Sequence, residues 1–352
     1  MNKLKVGIFM GGMSIEKEVS FNSGRTVYDH IDKTIFDPVL IFQKTNGVLY
    51  ILPYKFLYRG KIEDFENRLE TEAQRIYWDD IKNSIDFAFI AMHGRFAEDG
   101  VLQGMLEMLQ IPYLGSKIFG SALSRDKFLM YDFLTAVGIR VPKHKKITVQ
   151  EIARPDDVAQ LIAATIGFPC VVKPHKEGSS FGVSVANNST ELYEAITYAA
   201  YCIDIPQPII IEEKIMGKEF VSTAIIMGTG EHVALPPTEV VLEKGYAILD
   251  YDQKYMPGRA TKFTPARFST EAIERIQALT AKIMDTLSLK TMVRVDGFLT
   301  DTNDIVFIDV NTITGMAPSS FFFCQAAEIG LNHAQLIDML IKAELHNYNI
   351  DF

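Results

Sequence analysis

Residues Met292 to Gly315 read MVRVDGFLTDTNDIVFIDVNTITG, and how this stretch folds decides how the rest of the chain is understood. Two apolar runs, Met292 to Leu299 and Ile305 to Asn311, have the character of β-strands, and the polar TDTND segment between them supplies a turn. An even-numbered turn centred on Thr302 and Asn303 sets Asp296 opposite Asp309 and Arg294 opposite Asn311. Side chains two apart share a sheet face, so all four project together. Two carboxylates directly opposed repel each other unless a positive charge separates them. Asp296, Asp309 and Asn311 offer hard oxygen atoms of the kind magnesium takes, and magnesium leaves its other positions to water and phosphates. A nucleotide is then the expected neighbour. On these residues alone, a solvated hairpin with alternating charges is an equally good explanation.

The chain around the hairpin has 352 residues, enough for two or three domains with separate cores. Hydrophobic residues make up 48% and charged residues 22%, which fits a globular protein and neither a disordered nor a membrane-embedded one. A net charge of -9 argues against a general nucleic-acid surface and leaves room for local basic pockets that take phosphate. Cys170, Cys202 and Cys324 are widely spaced and odd in number, and read as buried thiols in a reducing compartment. The apolar start is too short for a signal sequence, and no apolar stretch long enough to span a bilayer follows. A cytoplasmic protein with no nucleic-acid or membrane partner is expected.

Upstream of the hairpin, Lys5 to Met10 reads as a strand, Gly11-Gly12 as a turn, and Ser14 as the cap of a helix through Ile31. Neither GxGxxG nor GxxxxGK[ST] is present. Pro38 to Phe42 and Asp86 to Met92 are further strands. HGRFAEDG, His93 to Gly100, follows the second of them, where parallel sheets place binding loops. Ser121 to Val137 reads as one helix, ended by Gly138. In KPHKEGSSFG, Lys173 to Gly182, small residues let backbone N–H groups approach phosphate and Lys173 adds a fixed charge, although a plain glycine-serine turn also accounts for it. IIIEEKIMGKE, Ile209 to Glu219, reads as an edge strand with a charged end. Its backbone from Glu212 to Ile215 can pair with an adenine ring and Glu219 can accept from ribose, while a solvated strand end is the simpler account.

Taken in order, GGMSIEKEVS, HGRFAEDGVLQG, IPYLGS, SALSRDK, VVKPHKEGSSFG, IIIEEKIMGKE, DYDQKY, VRVDG and DVNTITG resemble the motifs of the D-alanine–D-alanine ligase family of the ATP-grasp superfamily, across nearly the whole chain. The resemblance implies an α/β (α+β) protein with the ATP-grasp fold. An N-terminal parallel-sheet α/β domain over residues 1–120 holds the first D-alanine. A central subdomain over 121–208 and a C-terminal domain over 209–352, with the metal site and a lid, clamp ATP between them. It further implies ATP and D-alanine as substrates, two magnesium ions replaceable by manganese, a homodimer, and synthesis of the dipeptide that ends the peptidoglycan stem.

By the same resemblance Lys127, Lys173 and Lys254 meet the ATP phosphates and Ser179 and Ser180 close over them. Glu212, Glu213, Lys214 and Ile215 hold adenine, Glu219 holds ribose, and Asp296, Asp309 and Asn311 hold the metal. Glu16 meets the first substrate's ammonium and His93 lies near its carboxylate. Ser320 meets the second carboxylate, and Phe321, in the unusually aromatic segment MAPSSFFF that departs from the family, reshapes the pocket for the second substrate. Arg294 and the Gly315 N–H stabilise the oxyanion, and Tyr255 reaches Ser179 and Glu16 when the Glu243 to Pro265 lid closes. The implied chemistry is phosphorylation of one carboxylate by ATP, followed by attack of the second amine on the acyl phosphate.

Asp309 stands where the family has glutamate, Thr314 where it has proline, and Ala97 where it has glycine. Tyr131 and the Gln43 to Asp80 region also depart, outside the expected chemistry. Two alternatives follow: a ligase of the same mechanism whose second substrate is D-lactate, D-serine or another amine, and an ATP-binding regulator without turnover. The retained Lys254-Tyr255 pair favours D-alanine, and the intact Arg294, Asn311 and Ser320 argue against the regulator.

Overall fold

The computed structural model describes residues 3–203, 205–226, 229–246, 248–249 and 259–350, and among these the strands gather into three sheets. The first contains β1 (Leu4–Gly11), β2 (Phe36–Gln43), β3 (Leu49–Ile51), β4 (Gln74–Ile76), β5 (Phe87–Ile90) and β6 (Tyr113–Leu114), in the order β4-β3-β2-β1-β5-β6. The four strands from β2 to β6 in that order are parallel, and β3 and β4 extend the edge antiparallel. The expected parallel sheet is therefore mixed, because part of the divergent Gln43 to Asp80 region folds back on it. β5, FAFI, is buried along its whole length, as a strand covered on both faces must be.

Ser14 does not cap the first helix, Lys17–His30; Glu16 holds that position. The Ser14 hydroxyl instead accepts from the Glu16 N–H at 3.1 Å and donates to the His93 carbonyl at 2.8 Å. This ties the start of the helix to the loop after β5 and brings two candidate substrate residues together. The predicted helix from Ser121 to Val137 is two helices, Ile118–Arg125 and Lys127–Ala136. They part at Asp126, whose carboxylate accepts from the Leu129 N–H at 3.2 Å and caps the second.

The second sheet holds β7 (His144–Ile147), β8 (Cys170–Pro174), β9 (Ser184–Ala186) and β10 (Ile209–Glu213), antiparallel in the order β7-β10-β8-β9. β10 is thus an interior strand of this sheet and not the edge strand that its charged end suggested. Its three isoleucines are fully buried. The third sheet begins only with β11 (Lys218–Ile226), and continues with β12 (His232–Ala234), β13 (Thr238–Val241), β14 (Thr261–Phe263), β15 (Met292–Leu299) and β16 (Ile305–Asn311). Its order is β14-β13-β11-β15-β16, with β12 also paired to β11.

The β15–β16 hairpin pairs Arg294 with Asn311 and Asp296 with Asp309, as expected, but by a different route. The turn is odd: Thr300 and Asp304 close it with a backbone bond of 2.9 Å, and Asn303 takes the left-handed conformation at φ 63°. Gly297 therefore pairs with Phe307, and Ile308 is left over as a β-bulge before Asp309 meets Asp296. In an unbroken ladder Ile305 and Phe307 would share the face of the two carboxylates. The bulge puts them in the core with Val293, Val295 and Val310, against Ile276, Ile283 and Met284 of the helix Thr270–Thr286.

Candidate active site

A cavity of about 440 Å³ lies between β10 with the segment after it and the strands β13, β15 and β16. It gathers Lys127, Lys173, Ser180, Glu212 to Ile215, Glu219, Asp296 and Asp309, all singled out from the sequence. Lys254 and Tyr255 lie outside the described residues, as does the 250–258 part of the segment read as a lid.

At the back of the cavity the Lys173 ammonium lies 2.7 Å from Glu212 Oε1, both groups buried. The Tyr131 hydroxyl stands 2.9 Å from Glu212 Oε2 and 2.7 Å from the Ile308 carbonyl, with one proton to share between them, and accepts from Lys173 at 3.2 Å. Burial first, and then Glu212, hold the Tyr131 phenol protonated well above its usual range. Tyr131 was expected outside the chemistry, and the structure bonds it to two of the candidate nucleotide residues, Lys173 and Glu212. The available signal was its place one helical turn after Lys127, on the same face. The Ile308 carbonyl that receives Tyr131 and Lys173 belongs to the bulge residue.

Ser179 and Ser180, at φ 50° and 58°, both adopt the left-handed conformation that costs residues with a side chain. Ser180 Oγ donates to the Leu249 carbonyl at 2.7 Å, and Ser179 Oγ donates to the Glu16 carboxylate. This strained turn therefore touches the nucleotide-sized cavity on one side and the candidate amino-acid pocket on the other.

On the hairpin face each carboxylate already has a cation. Arg294 donates two hydrogen bonds to Asp296, at 2.9 and 3.0 Å, and Lys127 lies 3.2 Å from Asp309 Oδ1. The repulsion inferred from the sequence is thus relieved by protein charges, and does not itself demand a metal. Among the described residues no group of three or more His, Cys, Asp and Glu side chains is arranged to hold a metal ion. The donor set of Asp296, Asp309 and Asn311 nevertheless fits a hard divalent cation that takes most of its ligands from water and phosphate.

The amino-acid side is buried. His93 Nε2 is 2.9 Å from Ser23 Oγ, and its backbone N–H donates to Ser20 Oγ. Burial lowers the His93 pKa to about 4, with Arg294 and Arg125 adding to the effect and Glu16 opposing it. Between pH 6.5 and 4 the unfolded chain therefore binds a proton that the folded chain refuses, and stability falls as pH falls through that window. The loss attributable to His93 is on the order of 3 kcal/mol. Urea-unfolding midpoints across this range should flatten in His93→Gln; an unchanged slope would assign the proton uptake elsewhere.

Ser320 caps the helix Phe321–Ala327 by accepting from the Phe323 N–H, and the Lys262 ammonium lies 4.4 Å from the Phe321 ring centre. Thr314 is buried, and Gly315 has open space where a Cβ would stand. Three charged residues missed in the sequence crowd the pocket: Glu98, Arg125 and Glu177, all buried. Each sits inside a motif already quoted, in HGRFAEDG, SALSRDK and KPHKEGSSFG.

Family models described as "D-ala D-ala ligase N-terminus" and "D-ala D-ala ligase C-terminus" match residues 5–116 and 133–342. The D-alanine–D-alanine ligase of Syntrophobacter fumaroxidans is 33% identical, the match covering 98% of this chain and 99% of that one. The enzyme of the same name from Carboxydothermus hydrogenoformans is 31% identical, over 97% and 98%. Among solved structures, VanG D-Ala:D-Ser ligase from Enterococcus faecalis superposes with a TM-score of 0.84 at 28% identity, over 97% of this chain and 100% of the other. D-alanine–D-alanine ligase from Bacillus anthracis complexed with ATP gives 0.71 at 27%, over 98% of each.

Proposed function

The chain belongs to the D-alanine–D-alanine ligase family, with its ATP-grasp fold, and on that premise we propose that it joins two D-alanine molecules at the expense of ATP, supplying a peptidoglycan precursor. The observation that carries this reading is the Ser179–Glu16 contact, where the edge of a cavity of about 440 Å³ meets a buried cluster of carboxylates.

In this proposal residues 1–120 hold the first D-alanine, and the segments 121–208 and 209–352 enclose ATP. The backbone and side chains from Glu212 to Ile215 take adenine, Glu219 takes ribose, and Lys127, Lys173 and Lys254 take the phosphates. Asp296, Asp309 and Asn311 hold magnesium, which when bound draws charge away from the transferred phosphoryl group. Glu16 orients the first substrate by its ammonium, with His93 near the carboxylate that attacks the γ-phosphorus. ADP leaves, and the acyl phosphate so formed has a good leaving group. Ser320 fixes the second substrate, whose amine attacks the acyl carbon, while Arg294 and the Gly315 N–H hold the oxyanion until phosphate departs. Water hydrolyses an acyl phosphate, which gives Tyr255 and the 243–265 segment their proposed use as a lid. A cytoplasmic homodimer belongs to the same proposal; no described helix is long and apolar enough to cross a membrane.

A second reading, D-serine as the second substrate, draws support from the 0.84 superposition on a D-Ala:D-Ser ligase and from Thr314 and Phe321 near the proposed second subsite. Phosphate release with ATP, magnesium and D-alanine, compared with D-serine, D-lactate and L-alanine paired with D-alanine, separates the two. Nucleotide binding with no turnover of any of them would remove both.

A further inference from the structure

Arg125 stands at the end of the helix Ile118–Arg125, just before the Asp126 break, and is less than a tenth exposed. Its guanidinium lies within 3.9 Å of Glu16 Oε2, 3.7 Å of Glu98 Oε2 and 3.9 Å of Glu177 Oε2. These carboxylates come from three separate segments: the start of the first helix, the loop after β5 and the loop after β8. At such distances Arg125 attracts all three, yet its Nε and Nη2 donate no hydrogen bond. Charge draws the carboxylates to Arg125, while Ser179 Oγ donates to the Glu16 carboxylate and the Gly94 N–H donates to Glu98 Oε2 at 2.6 Å.

The packing around it is close. A Cβ on Gly94 would stand 2.5 Å from Glu16 Oε2, and one on Gly178 would stand 2.9 Å from the same oxygen and 3.0 Å from Arg125 Nη1. The Glu16 carboxylate is therefore wedged between two glycines of two different loops, with Arg125 against it.

Three carboxylates face one guanidinium. Burial pushes Glu98 up to about 7, with Glu16 adding to the rise and Arg125 opposing it, so near neutral pH it is partly protonated. His93 is neutral at that pH. Arg294 and Asp309, from the hairpin side, contribute charges of opposite sign. Arg294 is paired with Asp296 and Lys127 with Asp309, so the three carboxylates share the Arg125 guanidinium and the cluster has room for a further positive charge. An amino acid's ammonium group supplies one.

We propose that Arg125 is the positioning residue of the first amino-acid subsite: one guanidinium draws Glu16, Glu98 and Glu177 together and leaves them short of positive charge, so that they close around an ammonium group. This rests on the ligase reading above and extends it to a residue that does not itself hold substrate. Without Arg125 the carboxylates repel one another, and Glu16 loses the cation that draws it towards Glu98 and Glu177.

The test is two-site steady-state kinetics with ATP, magnesium and D-alanine on the full chain, alongside thermal melting. Arg125→Met should raise the first-site KM about 30-fold or more. The kcat at saturation, the second-site KM and the KM for ATP should change little. Arg125→Lys, which keeps the charge, should recover most of the loss. Arg125→Met with Glu177→Gln, which removes one carboxylate as well, should recover part of it. Where Arg125→Met fails to fold, Glu177→Gln alone carries the test. With Arg125 unopposed by that carboxylate, the first-site KM should again rise. A first-site KM that stays put in these variants overturns the assignment. So does a loss spread equally over ATP and both amino-acid sites, which is what a purely structural arginine would give. If the unmodified chain turns over no D-amino acid, the ligase reading itself fails; turnover in the unmodified chain with an unmoved first-site KM in the variants removes only the role of Arg125.

Discussion

Replacing Arg294 by alanine is expected to lower turnover about 100-fold or more while leaving ATP affinity nearly unchanged, the scale of losing one oxyanion donor. Arg294 projects from β15 on the face of Asp296 and Asn311, and it does not line the cavity assigned to the nucleotide. Its two hydrogen bonds to Asp296, at 2.9 and 3.0 Å, occupy that carboxylate. Removing the guanidinium therefore frees the proposed metal ligand Asp296 as it deletes the proposed oxyanion donor. The magnesium concentration for half-maximal rate should fall or stay level even as kcat drops. Arg294→Lys, with a point charge instead of a planar fork, should recover only part of the rate. Equal losses in ATP affinity and in kcat would place Arg294 with the nucleotide instead.

The second large effect is expected at Lys173. Its ammonium is paired at 2.7 Å with Glu212 where both side chains are almost fully buried. Lys173→Met leaves the Glu212 carboxylate buried without its cation and, among the described residues, bonded through the Tyr131 hydroxyl. Breaking one partner of such a pair costs about 3–5 kcal/mol of stability, far more than a surface pair. Adding Glu212→Gln removes the stranded charge and should restore most of the stability. ATP affinity should stay low in both variants, because the cation proposed to meet the phosphates is gone in each. Denaturant midpoints and ATP titrations report the two effects separately. A double variant as unstable as the single one would show that packing, and not the stranded carboxylate, is the cause.

How much was legible in the chain depends on the kind of signal. Asp296, Asp309 and the two strands that carry them were readable because period-two alternation and a polar turn are local features. The bulge at Ile308 was not, because an odd turn plus one extra residue gives the same opposed pairs as an even turn. The Asp126 break hid inside a helical periodicity that continues across it, although aspartate is a favoured cap. β10 looked like an edge because its charged end was visible, whereas its neighbours β7 and β8 come from distant parts of the chain. Tyr131 and Arg125 lay beyond local reading for the same reason. Their partners Glu212 and Ile308, and Glu16, Glu98 and Glu177, are assembled only when the sheets and loops meet. The placement of Ser179 beside Glu16 spans 163 residues, so no local pattern shows it, and only the family resemblance had brought the two together, by way of Tyr255.

The leftover residue of the hairpin has a consequence for how such a site can change over generations. Ile308 contributes its carbonyl to Lys173 and Tyr131, while the pairing of Asp296 with Asp309 and of Arg294 with Asn311 resumes unshifted beyond it. Gain or loss of that single codon leaves both faces of the hairpin as they are and adds or removes one acceptor at the back of the cavity. The acidic pair and the support for Lys173 can therefore be inherited and altered independently, although they lie side by side on one strand.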